Sequence, residues 1–345
     1  MKIFKIASLF TGCGGLDLGF KKAGFKTIWS NENDKTIIST LKYNFPTTSL
    51  DTRSILNVSA EEIPEIDGII GGPPCQSWSE AGKGLGEKDE RGKLFWEYIR
   101  VLRSKKPKFF LAENVSGILS KKHRHSFQEI INSFHQLGYD VHYELLNAND
   151  YCVAQDRKRV IIVGFRKDLG VNFSFPEAVF PKLTLLSSIA DLANSAVPAN
   201  PKNYSNKKQV VTNHEYLIGG FSSMYMSRNR VRSWHEPSFT IQAGGRHAPI
   251  HPNAPKMIKI DENKFEFAPE FINLYRRLTI RECLRIQTFP DNYKLIYEKL
   301  ADGYKMVGNA VPVNMAYYLA RQIAECLVNG KKKIAKYNIT EKRYS

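Results

Sequence analysis

The chain has 345 residues, enough for two domains and a large buried core, and 42 % of them are hydrophobic, which excludes an intrinsically disordered protein. Fifty lysines and arginines against 34 aspartates and glutamates leave a formal charge of +16, a surplus that points to a phosphate-rich partner, nucleic acid before a membrane surface. Five cysteines without a C-x-x-C pair or a histidine ligand set exclude structural zinc and a disulfide framework, and no run reaches the roughly 20 apolar residues of a membrane span, so a reduced, cytoplasmic, metal-free protein is expected.

In chain order, residues 3–10, 27–30, 68–70, 108–112 and 160–165 are predicted strands, and residues 16–23, 94–103 and 126–137 are predicted helices. Lys5 breaks the opening apolar run too early for a secretion signal. Such alternation predicts a doubly wound α/β domain with a mostly parallel sheet covered on both faces. Pro176, Pro181, Pro198 and Pro201 then punctuate a stretch rich in asparagine and serine, and a boundary is expected near residue 180. Residues 201–260 hold nine lysines and arginines against Glu215 and Glu236, which suits the lining of a groove. Helices are predicted again over 279–287 and 313–328, before a basic tail, 331–345, expected to fray.

Several segments carry chemistry. The first strand runs into Gly12, Gly14 and Gly15 and then a helix opened by Leu16, a turn where only small residues let a ligand approach the backbone. Asp17 stands where a dinucleotide loop needs glycine; its carboxylate opposes a pyrophosphate, disfavours a nicotinamide oxidoreductase and suits a positive sulfonium. Glu32 is placed to meet ribose hydroxyls at the end of the next strand. In Gly71-Gly72-Pro73-Pro74-Cys75 the prolines fix the backbone leading to one thiol, although a lone cysteine is more commonly a small buried hydrophobe. Glu113-Asn114-Val115 closes an apolar strand, and Gln155-Asp156-Arg157-Lys158-Arg159 opens another; by themselves these are ordinary surface charges. Arg228, Arg230 and Arg232 fall at every second position, which on an extended strand puts three guanidiniums on one face, suited to guanine O6 and N7 or to phosphates, and Arg246 follows Gly244-Gly245.

Together and in this order, Phe10-Thr11-Gly12-Cys13-Gly14-Gly15, the Pro-Cys segment, Glu113-Asn114-Val115, the Gln155 to Arg159 segment and Gly308-Asn309-Ala310-Val311-Pro312 resemble the DNA (cytosine-5)-methyltransferases over nearly the whole chain. The resemblance implies a Rossmann-like catalytic and cofactor-binding domain over 1–180, a smaller target-recognition domain over 181–300, and a segment, 301–330, returning to the first. It implies S-adenosyl-L-methionine as cofactor, held by Phe10, Gly12, Gly14, Gly15, Leu16, Glu32, Asn33, Asp51 at the adenine amino group, Thr52, Pro74, Leu94, Asn309 and Val311, with Asp67 a further lining position. It implies Cys75 as nucleophile, Glu113 as proton source at N3, and Arg157 or, preferably, Arg159 at the cytosine O2 or the catalytic carboxylate. The target base must leave the duplex stack, with Gln76, Ser77 and Met224 as candidates to fill the hole and Arg228, Arg230, Arg232 and Arg246 to contact DNA.

Residues 71–80, 147–151, 226–232 and 303–313 further resemble bacterial modification enzymes that methylate the inner cytosine of GGCC, which implies double-stranded DNA as partner, a type II restriction-modification system and a monomer. The chain departs from the family at Cys152, Ala154 and Thr288, where glycine, proline and glycine are usual; a left-handed Cys152 would carry strain of about 1 kcal/mol. The rival readings are a tRNA cytosine-5 methyltransferase and a catalytically silent DNA-binding regulator.

Overall fold

The computed structural model describes residues 3–74 and 90–341, with 90–93 and 330–341 as backbone only. Its first half runs β1 (Lys5–Leu9), α1 (Gly15–Lys22), β2 (Lys26–Asn31), α2 (Lys35–Asn44), β3 (Ser49–Asp51), β4 (Gly68–Gly71), α3 (Glu90–Lys105), β5 (Phe109–Val115), α4 (Arg124–Gln136), β6 (Tyr139–Asn147) and β7 (Lys158–Arg166). These strands form one sheet in the order β3-β2-β1-β4-β5-β7-β6. β1 to β5 are parallel, and β7 runs antiparallel to both its neighbours.

Strands buried on both faces need apolar residues at every position, and β5 shows how they divide. Phe109 and Leu111 join Ile6, Ile70 and Val163 in one core, while Phe110 and Ala112 join Ala7, Ile69 and Ile162 in the other. β6 was not expected from the sequence: it is an edge strand that leaves Tyr143 and Leu145 exposed, so no buried apolar run marks it.

The second half holds α5 (Leu185–Ile189), the short pairs β8 (Val197–Pro198) with β9 (Glu215–Tyr216) and β10 (Ile258–Asp261) with β11 (Lys264–Glu266), then α6 (Ile280–Ile286), α7 (Leu300–Asn309) and α8 (Val313–Glu341). Thr279 and Glu282 close a reciprocal capping box on α6 at 2.8 and 3.1 Å. Ile280, Leu284, Leu300 and Met306 share a core with Cys13, Ile37 and Leu41 of the sheet half. Met315, Ala316, Leu319 and Ile323 of α8 pack against Leu16 and Phe20 of α1. The backbone of α8 extends to Glu341, into the basic tail.

Cys152 and Thr288 occupy the left-handed region, at φ 53° and 62°. Thr288 recovers part of the cost through its hydroxyl, which accepts from the Asn314 amide at 2.9 Å at the start of α8. Cys152 has only a long contact for its side chain, Sγ 3.9 Å from the Tyr318 hydroxyl, and its carbonyl accepts from Asn314 Nδ2 at 3.0 Å. Cys152→Gly should therefore raise stability by about 0.5–1 kcal/mol, read as a higher denaturation midpoint; a lower midpoint would mean that packing of the thiol outweighs the strain.

Candidate active site

In a mostly parallel sheet the ligand-binding edge is the one at the strands' carboxyl ends. At that edge β1 passes into Phe10, at φ 53°, and the glycine turn, where Gly12 and Gly14 are left-handed at φ 57° and 77°. Gly14 caps α1 from that conformation. The Gly12 amide donates to Glu32 Oε2 at 2.9 Å, and the Asp34 amide donates to Oε1 at 2.9 Å. Burial pushes the Glu32 carboxyl above its ordinary value against these bonds. Phe10, Asn31, Glu32, Asn33, Ser54, Ile55 and Leu94 line one narrow cavity here.

The donor set fits S-adenosylmethionine: a fixed carboxylate with lone pairs left for vicinal hydroxyls, beside the apolar walls Ile55 and Leu94. Ser54 and Ile55 escaped sequence reasoning, since a short 3₁₀ turn after β3 carries no ligand-binding signal, as did Asn31 at the end of β2. Other expected cofactor residues do not line this cavity, although Asp51 borders it through its carbonyl, which accepts from the Glu32 amide at 3.1 Å. Asp51 is engaged by Arg53 at 2.6 Å, and Thr52 beside it is exposed. Asn309 is exposed at the end of α7, while Leu16 and Val311 are buried in the core shared by α1 and α8. Asp67 requires correction: it precedes β4 and accepts from the Lys5 amide at 2.9 Å and from Lys108, at the amino edge of the sheet, the wrong end for this cavity.

A Cβ on Gly15 would lie 2.2 Å from the Val311 carbonyl oxygen. Gly15→Ala must therefore separate α1 from the Asn309 to Val311 turn. We expect a stability loss of about 1–3 kcal/mol in denaturant melts, together with weaker S-adenosylmethionine binding by calorimetry; parental stability would show that the turn yields freely.

Asp17 also differs from expectation. It is 2 % exposed, and Ser8 Oγ donates to it at 3.0 Å, so it faces the interior and exerts no choice among ligands. Burial lifts its carboxyl from 3.8 to about 6. The folded state thus holds this proton more tightly than the unfolded chain, so the contribution is complete below pH 3.8 and disappears as pH rises through about 6. Between about pH 4 and pH 7.5 the stability of Asp17→Asn relative to the parent should improve by on the order of 2–3 kcal/mol. Paired denaturant melts test this, and a difference independent of pH would refute it.

Next along the edge, β4 ends at Gly71, and Gly72-Pro73-Pro74 leads towards Cys75, which lies outside the described residues together with Gln76 and Ser77. Asn114 Nδ2 donates to the Pro73 carbonyl at 3.0 Å, a tether between β5 and this segment that sequence reasoning passed over. Glu113 Oε2 lies 3.2 Å from where a Gly72 Cβ would stand. The register of β5 with β7 pairs Val115 with Arg159, two residues beyond Glu113 and on its face. Arg159 Nε donates to Glu113 Oε1 at 2.8 Å, with the side chains 13 % and 11 % exposed.

The structure separates the two arginines. Arg157 is 1 % exposed and donates to the carbonyls of Ile241 and Gly308 at 3.1 and 3.0 Å. Burial pushes its guanidinium down to about 9. Instead of acting as a catalytic group, it clasps the recognition side and the end of α7 to β7. Other thiols are withdrawn from chemistry: burial raises Cys13 to about 12 and Cys283 well above its ordinary value.

The arginine ladder is a second correction. The segment is irregular, with only Val231 bridged, to Ile250, so its side chains do not alternate across a strand. Arg228 is exposed, whereas Arg230 is 8 % exposed and donates to the carbonyls of Tyr225 and Met224 at 2.7 and 3.0 Å. Arg232 pairs with Asp156 and Glu236 at 3.1 and 2.9 Å. Arg228, Gln242 and His247 line a groove that also includes Asp156. Met224 is 70 % exposed, and Arg246 is exposed on a 3₁₀ turn.

A mixed seven-stranded sheet with this carboxyl-edge site is the architecture of α/β S-adenosylmethionine-dependent methyltransferases. The family model for C-5 cytosine-specific DNA methylases matches residues 4–325, and the chain belongs to that family. It is 55 % identical over 336 residues to the type II methyltransferase M.FnuDI of Fusobacterium nucleatum, covering 96 % of this chain and 97 % of that one. It is also 55 % identical over 328 residues to M.NgoPII of Neisseria gonorrhoeae, covering 94 % and 96 %. Among solved structures, a putative DNA modification methyltransferase from an E. coli prophage shares the fold, with TM-score 0.74 at 24 % identity over 94 % of this chain and 99 % of that one. The protein is thus a DNA (cytosine-5)-methyltransferase, and family and fold imply S-adenosylmethionine as methyl donor. Among the described residues no helix is long and apolar enough to cross a membrane, and no group of three or more potential ligands could hold a metal ion.

Proposed function

We propose that this methyltransferase attacks a cytosine extruded from duplex DNA through Cys75, that its target is the inner cytosine of GGCC, and that it is the modification half of a type II restriction-modification pair. On this reading it works as a monomer in the bacterial cytoplasm. The observation that carries the proposal is the meeting of Glu113 and Arg159 against Gly72, three residues before Cys75. The names of relatives as type II methyltransferases support the biological setting, and the local sequence match over residues 226–232 supports GGCC.

Cytosine C5 is a poor nucleophile until the ring's conjugation is broken. The Cys75 thiolate adds to C6, and Glu113 supplies a proton to N3 as charge develops there, leaving C5 an enamine carbon. Serine would not serve, because its alkoxide is inaccessible at neutral pH while a thiol is partly ionised. Arg159 holds the carboxyl group of Glu113 in place. Glu32 and the glycine turn would hold S-adenosylmethionine, whose methyl group would pass to C5 as its sulfonium sulfur departs as the neutral thioether S-adenosylhomocysteine. Loss of the C5 proton to a base then allows elimination of the C6–S bond, which returns the thiolate. Among the described residues Arg228 and Arg246 are exposed guanidiniums for guanine or phosphate, and Met224 is the apolar wedge for the emptied stack.

Bisulfite sequencing of plasmid DNA treated with the purified protein and S-adenosylmethionine tests position, base and context together. Protection confined to the inner cytosine of GGCC is expected; methylation in another context would overturn the sequence assignment and leave the chemistry standing.

A further inference from the structure

Beside the Gly244-Gly245-Arg246 turn lies a cavity of about 820 Å³, which shares His247 with the Arg228 groove. Among the described residues Lys202, Lys299 and Arg246 stand on its lining, and no carboxylate does. Two observations make this more than a patch of surface lysines.

The first is that the lysines are held in place. Tyr204 and Lys299 form an antiparallel bridge, and the Ser205 amide donates to the Glu298 carbonyl at 2.7 Å. The segments carrying Lys202 and Lys299 are thereby fixed side by side, with both ammonium groups exposed. The second is the treatment of the loop's own oxygens. Arg277, 2 % exposed, donates to the carbonyls of Gly219 and Gly220 at 3.2 and 2.8 Å and lies 3.8 Å over the Phe221 ring. Those oxygens would repel a phosphate; here they face a buried guanidinium. Gly219 sits at φ 113°, and a Cβ at either glycine would meet open space. The cavity therefore offers cations on its rim, masked acceptors on one wall and room for close approach to backbone, the combination that suits a phosphodiester chain.

We propose that this cavity seats the backbone of duplex DNA outside the methylated sequence, so that the enzyme's footprint exceeds the bases it reads. The inference rests on DNA as substrate and is independent of which sequence is recognised.

The test is the salt dependence of binding, measured by fluorescence anisotropy with a long duplex carrying one methylatable site at its centre and with a duplex trimmed to end within half a helical turn of that site. Each phosphate that the protein no longer neutralises flattens the slope of log Kd against log salt by about 0.9. Lys202→Gln/Lys299→Gln should flatten it by about 2 on the long duplex, so that between about 50 and 200 mM salt the parent loses about tenfold more affinity than the variant. On the trimmed duplex the two slopes should coincide. Lys5→Gln/Lys26→Gln removes the same charge from the opposite edge of the sheet, where the two residues pair, and should keep the parental slope. Melting curves check that each variant folds. An unchanged slope in the first variant, an equal change in the second, or a difference that persists on the trimmed duplex would each overturn the proposal; failure of every protein to bind either duplex would instead strike at DNA as substrate.

Discussion

Cys75→Ala is expected to bind duplex DNA and S-adenosylmethionine as the parent does and to transfer no methyl group above background. Without the thiolate, C5 remains part of an intact aromatic ring, and among the described residues Cys13 and Cys283 are buried, with thiols held protonated by desolvation. A duplex containing 5-fluorocytosine gives an independent readout. Fluorine cannot leave as a proton does, so elimination stalls and the parent should accumulate a covalent complex that survives denaturation, while Cys75→Ala should form none. A denaturation-resistant complex with the alanine variant would end the assignment.

Glu113→Gln should lower the single-turnover rate by about 10²- to 10⁴-fold, the range for removing a positioned proton donor. Glutamine is the informative replacement because its amide oxygen can still accept from Arg159 Nε, now 2.8 Å from Glu113 Oε1, so the pair keeps its geometry and only the transferable proton is lost. The change should fall on the rate and leave DNA affinity nearly unaltered. A loss below about tenfold would show that N3 is not protonated from this side chain.

In the recognition segment, charge serves structure as much as binding. Arg230 is anchored through the carbonyls of Met224 and Tyr225 and by a stacking distance of 4.7 Å to the Tyr225 ring, so it shapes the loop that presents Met224. Arg232 lies 4.2 Å over the Phe239 ring and bridges Asp156 to Glu236, joining the recognition side to the loop before β7. Their two-residue spacing suggests a shared face, but such spacing aligns side chains only on extended, paired backbone.

By itself the sequence determined the sheet's central strands, because strands buried on both faces must be apolar throughout, and it determined the glycine turn, the Pro-Cys segment and the acid at the end of β5, because these need particular residue types close together in the chain. The resemblance to the family marked Cys152, where glycine is usual, as a position that a left-handed backbone would strain, and the structure places it there at φ 53°. Only the tertiary structure decided which of Arg157 and Arg159 meets Glu113, that Asp17 turns inward to Ser8, that Asn114 tethers Pro73, and that Arg277 masks the carbonyls of Gly219 and Gly220. Each depends on where a long or polar side chain finds its partner, nine residues away for Asp17 and tens of residues away for the others. Charge and spacing along the chain carry no information about that choice, which burial and hydrogen-bond satisfaction make.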